Sequence, residues 1–358
     1  MVTVLDRLAY TVRQSARVAW YTGHYWAGRR LLQPMPRPDL PSGPMPDRKA
    51  LGAEMRALFE TDWQNIAAGL YAAPGPEHES GTLATLESSL RYFRDLPRVD
   101  RRRHAGINDE PAQDPAHSHL PRYYRQNFHF QSDGWLSAES AALYDTQVEV
   151  LFTGSADAMR RQGLVPIAHH VAGRDTRLMR LLDIGCGTGR FLSFAHASWP
   201  ALRLIGLDLS LPYLTHAREA IGDTRRVQLV EAAGETLPFA DASLDVVTSV
   251  FLLHELPKKI RAGLAAEMAR VLKPDGIVVI VDSLQKSDRP DWAGLLDLFP
   301  HYFYEPYYAE YAACDLAAPF AAAGLRQVSS TPAFFSKVMV FARDAGMTSA
   351  ASATSLND

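Results

Sequence analysis

The stretch LLDIGCGTGRFL, Leu181 to Leu192, decides the fold. A short apolar run ends in Asp183, then Gly185, Gly187 and Gly189 alternate, and a helical pattern starts at once. Glycine is required where a backbone turns tightly and a ligand must approach with no Cβ in the way. The start of a helix adds unpaired N–H groups that face such a ligand. Working outward, LMRLLDI, LRLIGLD, VQLVEA, LDVVTSVF and GIVVIVDS are short apolar runs, most of them separated by helical patterns. That alternation predicts parallel strands joined by crossover helices, an α/β sheet covered on both faces. Two further strands are expected over Leu325 to Ser330 and Ser336 to Ala342.

The residues upstream read differently. Helical patterns run over Ala50 to Tyr71, Thr82 to Asp95 and Ser137 to Val171, the last with a break at Gly163 to Pro166. The polar run RVDRRRHAGINDEPAQDPAHSHLP carries loop chemistry. The expected organisation is therefore an aromatic-rich amphipathic helix over 1–33, a Pro-rich linker or strap over 34–48, a helical region over 49–172, the sheet domain over 173–343 and a disordered tail over 344–358.

Two ligands compete for the glycine loop. A dinucleotide fold wants G-x-G-x-x-G, and here the sixth position is Arg190. The G-x-G-x-G loop preceded by Asp183 suits a smaller ligand with an amino-acid head and a sulfonium. Asp208, closing the next strand, is placed to accept the hydroxyls of a ribose.

With these residues in place, the segment resembles the glycine motif of the class I S-adenosylmethionine-dependent methyltransferases. GLDLS resembles their second motif, VEAAGETLPFADASLDVVTSVFLLHEL their third and fourth in the ubiquinone and menaquinone C-methyltransferase branch, and RVLKPDGIVVIVD the helix and strand that follow. The resemblance covers Arg177 to Ala342. It implies a seven-stranded Rossmann-like sheet of order 3-2-1-4-5-7-6 and S-adenosyl-L-methionine as cofactor. Asp183 and the loop Gly185, Cys186, Gly187, Thr188 and Gly189 would hold the methionine end. Asp208 would hold the ribose, Leu209 would line the adenine, and Val250 would border the pocket. The family's acidic adenine contact falls on Ala233, flanked by Gly234 and Glu235, so a backbone contact there would replace it.

Methyl transfer is an in-line displacement at a sulfonium methyl, and the protein chiefly orients the nucleophile. Where the acceptor must lose a proton, the candidates are His254 and Glu255 after strand four, with Tyr304 beyond; the competing reading has His254 filling the strand-to-helix loop. HYFYEPYYAEY offers His301, Tyr302, Tyr304, Tyr307 and Tyr308 as acceptor contacts, or alternatively as a packed aromatic seam. YYRQNFHFQSDGW offers His129 and Trp135, with Gln131 and Asp133 either lining a lid or satisfying loop backbone. His117, His119, His169 and His170 are read as solvated, and no metal site is expected.

Composition narrows the class. The 358 residues are 47% hydrophobic and 22% charged, with 37 Lys and Arg against 40 Asp and Glu, a net charge of −3. That balance argues against a nucleic-acid binder. The 2 cysteines cannot build a disulfide framework, and a cytoplasmic setting is expected. Residues 1–33 show neither a signal peptide nor a bilayer-spanning run. Leu5, Leu8, Val12 and Ala16 follow helical spacing, with Trp20, Tyr21, Tyr25 and Trp26 close by. The helix either packs its aromatic face on the protein or lies peripherally on a membrane. The expected function is methyl transfer to a small-molecule, aromatic or partly apolar acceptor; the alternative is a non-catalytic S-adenosylmethionine-binding or regulatory protein. The oligomeric state is left open.

Overall fold

The structure is a computed structural model and describes residues 3–35, 43–75 and 81–343. Seven strands form one sheet: β1 (Arg180–Ile184), β2 (Arg203–Asp208), β3 (Val227–Glu231), β4 (Leu244–Val250), β5 (Leu272–Ser283), β6 (Leu325–Ala333) and β7 (Ser336–Arg343). Their order is β3-β2-β1-β4-β5-β7-β6, as the motifs implied. β7 runs antiparallel to both β5 and β6, and the other pairs are parallel.

Successive side chains of a strand point to opposite faces, so a sheet covered on both sides needs apolar residues at consecutive positions. Leu182, Ile184, Val247 and Ile280 pack on one face with Leu264 and Met268 of α10 (Lys258–Val271) and Phe320 of α13 (Ala318–Ala322). Leu181, Val246 and Val279 pack on the other with Phe191 and Phe194 of α8 (Arg190–Ser198) and with Leu164 and Ile167 of α7 (Leu164–Val171). α9 (Leu211–Ile221) joins β2 to β3, and α11 (Ala293–Tyr302) and α12 (Tyr308–Ala313) lie between β5 and α13.

The helical half comprises α1 (Val4–Leu31), α2 (Arg48–Ala67), α3 (Thr82–Ala105), the single turn α4 (Glu110–Gln113), α5 (Ala138–Leu151) and α6 (Ala156–Gln162) before α7. Side-chain oxygens cap the first turns: Thr3 and Asp6 form a capping box on α1, Asp47 caps α2 and Ser137 caps α5. Several boundaries differ from expectation: α2 ends at Ala67, short of Tyr71, and β6 runs on to Ala333. α3 continues past Asp95 through Pro97 to Ala105 before Gly106 closes it in the left-handed conformation. Its polar end is engaged, with Asp100 accepting from Gln33 N–H and bridging Arg103 at 2.8 Å, and Arg102 donating to Ser132 at 2.9 Å. A second break falls between α5 and α6, where Thr153 and Gly154 take positive φ. β5 starts at Leu272, ahead of the Gly276 that opens its apolar run.

α1 packs on the protein with a face the spacing of its leucines did not indicate. Tyr10, Gln14, His24 and Gly28 are buried, while Leu5, Leu8 and Val12 are exposed. The anchor is a buried polar knot. Asp62 of α2 accepts two hydrogen bonds from Arg161 of α6, at 2.9 and 2.5 Å. Tyr10 and Tyr71 also donate to it, at 2.5 and 2.7 Å. At the Pro-rich strap, Pro44 O accepts from Gly294 N–H at 3.0 Å. The expected tail, 344–358, lies outside the described residues.

Candidate active site

The cleft opens at the carboxyl ends of β1, β2 and β4, where α/β sheets hold ligands. Gly185, Gly187, Asp208, Leu209, Ala233, Gly234, Glu235 and Val250 line it from the sheet domain. Gly185, Gly187 and Gly189 all have positive φ, between 53° and 75°. A Cβ on Gly189 would also stand 2.8 Å from Ile221, so glycine there lets α8 and α9 close on each other. Asp208 accepts the N–H groups of Gly187 at 2.8 Å and Ser210 at 2.9 Å, which locks its carboxylate to the loop it faces. Burial nevertheless raises its pKa, against those hydrogen bonds.

Asp183 sits beneath the loop, fully buried, and accepts from Thr248 Oγ1 at 2.7 Å. Burial pushes its carboxyl up to about 7, with the Thr248 bond opposing and nearby Asp208 adding to the rise. The sulfur of Cys186 is buried with it and held well above its usual pKa by burial. Thr188 turns away from the cleft and donates to Asp145 of α5 at 3.0 Å. Arg190, the residue incompatible with a dinucleotide loop, binds Asp157 of α6 at 3.0 and 2.5 Å. Burial alone would raise the Asp157 carboxyl, but Arg190, Arg17 and Arg160 outweigh it and hold it well below the usual range.

The helical half closes the cleft with Tyr123, Tyr124, Trp135 and Tyr144, and β4's exit adds Phe251, Leu252, Glu255 and Leu256. Trp135 stacks on Phe128 with ring centroids 4.3 Å apart, and Tyr123 donates to Glu235 at 2.5 Å.

The expected aromatic insertion divides. Tyr304 and Tyr307 both bond Gln126, at 2.6 and 3.0 Å, outside the cleft lining. Tyr308 is buried against Ser283, and His301 is exposed on α11. Tyr302 is half-buried and is also absent from the lining. Gln131 serves the loop, donating to Gly134 O at 2.7 Å, and Asp133 is exposed. His129 faces Glu305 at 2.5 Å and Glu255 at 4.0 Å.

His254, a candidate to take the acceptor's proton, is already engaged by a carboxylate. Its Nδ1 lies 2.6 Å from Asp282 Oδ1. Burial would lower its pKa, yet Asp282, then Glu305 and Glu255, push it up to about 10. Glu255 is held well above the carboxylate range by burial and by Glu305 beside it.

Among the lining residues that sequence reasoning missed are Tyr123, Tyr124, Tyr144, Phe251, Leu252 and Leu256. Tyr123 and Tyr124 open the aromatic segment already singled out; Tyr144 sits mid-helix with no local signal. Asp282 ends an apolar strand just as Asp183 and Asp208 do, and that signal was present.

The sheet order and this loop give the C-terminal half the Rossmann-like fold of the class I S-adenosylmethionine-dependent methyltransferases. Comparison with known proteins agrees: residues 181–276 match a family described as a methyltransferase domain. Demethylmenaquinone methyltransferase of Staphylococcus aureus (strain JH9) is 36% identical over 107 residues, which make up 30% of this chain and 44% of that protein. The chain thus spans less than half the length of the curated relatives it matches. Solved structures with similarity include a TehB-like SAM-dependent methyltransferase from Corynebacterium glutamicum, 17% identical, covering 57% of this chain and 98% of that one, TM-score 0.40. Another is geranyl diphosphate C-methyltransferase from Streptomyces coelicolor, 16% identical, covering 56% and 84%, TM-score 0.40.

Proposed function

We propose that the protein binds S-adenosylmethionine in this cleft and transfers its methyl group to a small, aromatic or partly apolar acceptor. The observation that carries the reading is the composition of one cleft. Gly185, Gly187 and Asp208 form its cofactor side, and Tyr123, Tyr124, Trp135 and Tyr144 close over it. Aromatic walls supply rigid apolar contact with polar tips, which suits a planar acceptor. In this reading Asp208 receives the ribose hydroxyls, and backbone at Ala233 and Gly234 meets the adenine. The aromatic residues exclude water from the sulfonium.

When bound, S-adenosylmethionine would supply a methyl group activated by its sulfonium and would take up the bond's electron pair as S-adenosylhomocysteine, while the cleft residues would hold the acceptor in line with it. Glu255 lines the cleft, and His254, held by Asp282, orients that corner. Calorimetry with S-adenosylmethionine and S-adenosylhomocysteine tests the cofactor half. Absence of binding by both would overturn the reading. Mass spectrometry of an acceptor trapped with S-adenosylhomocysteine tests the other half.

A second reading concerns partners. The exposed Leu5, Leu8 and Val12 of α1 support peripheral contact with a lipid surface. No helix among the described residues is long and apolar enough to cross a membrane.

A further inference from the structure

Three separate segments converge beside the cleft. His129 comes from the short turn Phe128–Phe130, Glu255 from the exit of β4, and Glu305 from the link between α11 and α12. One ligand atom from each lies within 4.8 Å of the others. The Glu305 side chain is fully buried, and neither of its carboxylate oxygens makes a well-formed hydrogen bond. His129 Nε2 lies 2.5 Å from its Oε1. Among the described residues, the ion-pair partners of Glu255 and Glu305 are imidazoles: His129 reaches both, and His254 Nε2 lies 3.8 Å from Glu255. A buried carboxylate without a cation is costly, because desolvation is not repaid.

We propose that His129, Glu255 and Glu305 form a binding site for one divalent metal ion of the Mn2+, Fe2+ or Zn2+ type. One imidazole nitrogen with two carboxylates suits those ions, whereas Mg2+ and Ca2+ prefer oxygen alone. Donors bound ~2.1 Å from one ion stand ~3.0–4.2 Å apart. The 4.0 Å between His129 and Glu255 already fits, and the 2.5 Å between His129 and Glu305 must open slightly. The surroundings resemble a metal ligand's outer shell: Asp282 fixes the neighbouring His254 through Nδ1 and leaves Nε2 facing Glu255. Three protein ligands leave coordination positions open toward the cleft that Glu255 lines. An oxygen of the acceptor would fill one of them, and this role rests on the methyl-transfer reading; the ion site itself does not.

The histidine pairs noticed in the sequence are not part of this site. Its three ligands are far apart in the chain, so no spacing motif marks them.

The test uses the full-length protein, stripped with a chelator and titrated with Mn2+ while electron paramagnetic resonance reports the free ion. One bound ion per chain is expected, displaced by Zn2+. Glu305→Gln and His129→Asn should each weaken Mn2+ binding by at least about 10-fold, whereas His117→Ala with His119→Ala should not. Calorimetry with S-adenosylhomocysteine on every variant shows that the cofactor cleft still folds. No binding of either Mn2+ or Zn2+ to the unsubstituted protein would overturn the site, as would equal Mn2+ binding by both ligand variants. Mn2+ binding without S-adenosylhomocysteine binding would support the ion site and overturn the methyltransferase reading.

Discussion

Asp208 and Asp183 stand one strand apart and do different work. Asp208 is aimed into the cleft with two backbone N–H groups behind it. Asp208→Ala should weaken S-adenosylhomocysteine binding by about 1.5–3 kcal/mol, the worth of charged hydrogen bonds, measured by calorimetry. An unchanged affinity would detach this residue from the ribose. Asp183 is buried and its carboxyl is raised to about 7. A carboxyl raised in the folded state keeps its proton where the unfolded chain has lost it. Its contribution to stability is therefore complete below about pH 4 and is lost as pH rises through about 7. Asp183→Asn removes that titration. The stability difference between the protein and this variant, from urea melts at pH 5 and pH 8, should shift in the variant's favour at pH 8. Parallel pH dependence in the two would refute the assignment.

At the scale of elements, arginines fasten the helical half to the sheet domain and its helices to one another, beside the apolar packing. Arg190 reaches from the start of α8 to Asp157 of α6, and Arg161 of α6 reaches Asp62 of α2. Removing one member of a buried pair leaves an uncompensated charge, which costs about 3–5 kcal/mol. Arg161→Met should lose about that much in denaturant melts, and Asp62→Leu combined with it should recover a large part. A double variant no better than the single would mean the tyrosines Tyr10 and Tyr71, not charge, hold this junction. Such fastenings also explain which elements were legible. The strands were readable because burial on both faces writes itself as consecutive Val, Ile and Leu. The glycine loop, Asp208 and Glu235 were readable because they lie next to each other in the chain or at strand ends. The last two turns of α3 were not, because their charged residues are engaged with Gln33 and Ser132, distant in sequence. Tyr144 and Glu305 were not legible for the same reason: their neighbours at the site come from other segments.

Over the whole molecule, the helical half carries both the aromatic wall of the cleft and an exposed apolar stripe. Its later segments, Tyr123 to Tyr144, close the cleft, while α1 presents an apolar stripe outward. Val4, Leu5, Leu8 and Val12 are 86%, 75%, 57% and 60% exposed. α3, packed against α1, adds exposed Leu83, Leu86 and Leu90. An exposed contiguous apolar surface in a globular protein marks a contact with something. Here the apolar residues lie on helices that also carry Arg29, Arg30 and Arg91, the composition of an interfacial helix. Deleting α1 would not test this cleanly, because Tyr10 is tied into the Asp62 knot. Replacing Leu5, Leu8 and Val12 by Glu touches only exposed positions and should leave thermal stability nearly unchanged. Co-sedimentation with anionic phosphatidylglycerol vesicles should then fall by at least about 10-fold, since each buried leucine is worth about 1.5–3 kcal/mol. S-adenosylhomocysteine binding should persist. Equal sedimentation of the triple variant and the unsubstituted protein would remove the lipid surface as the partner of this face, and would leave the cleft and its chemistry untouched.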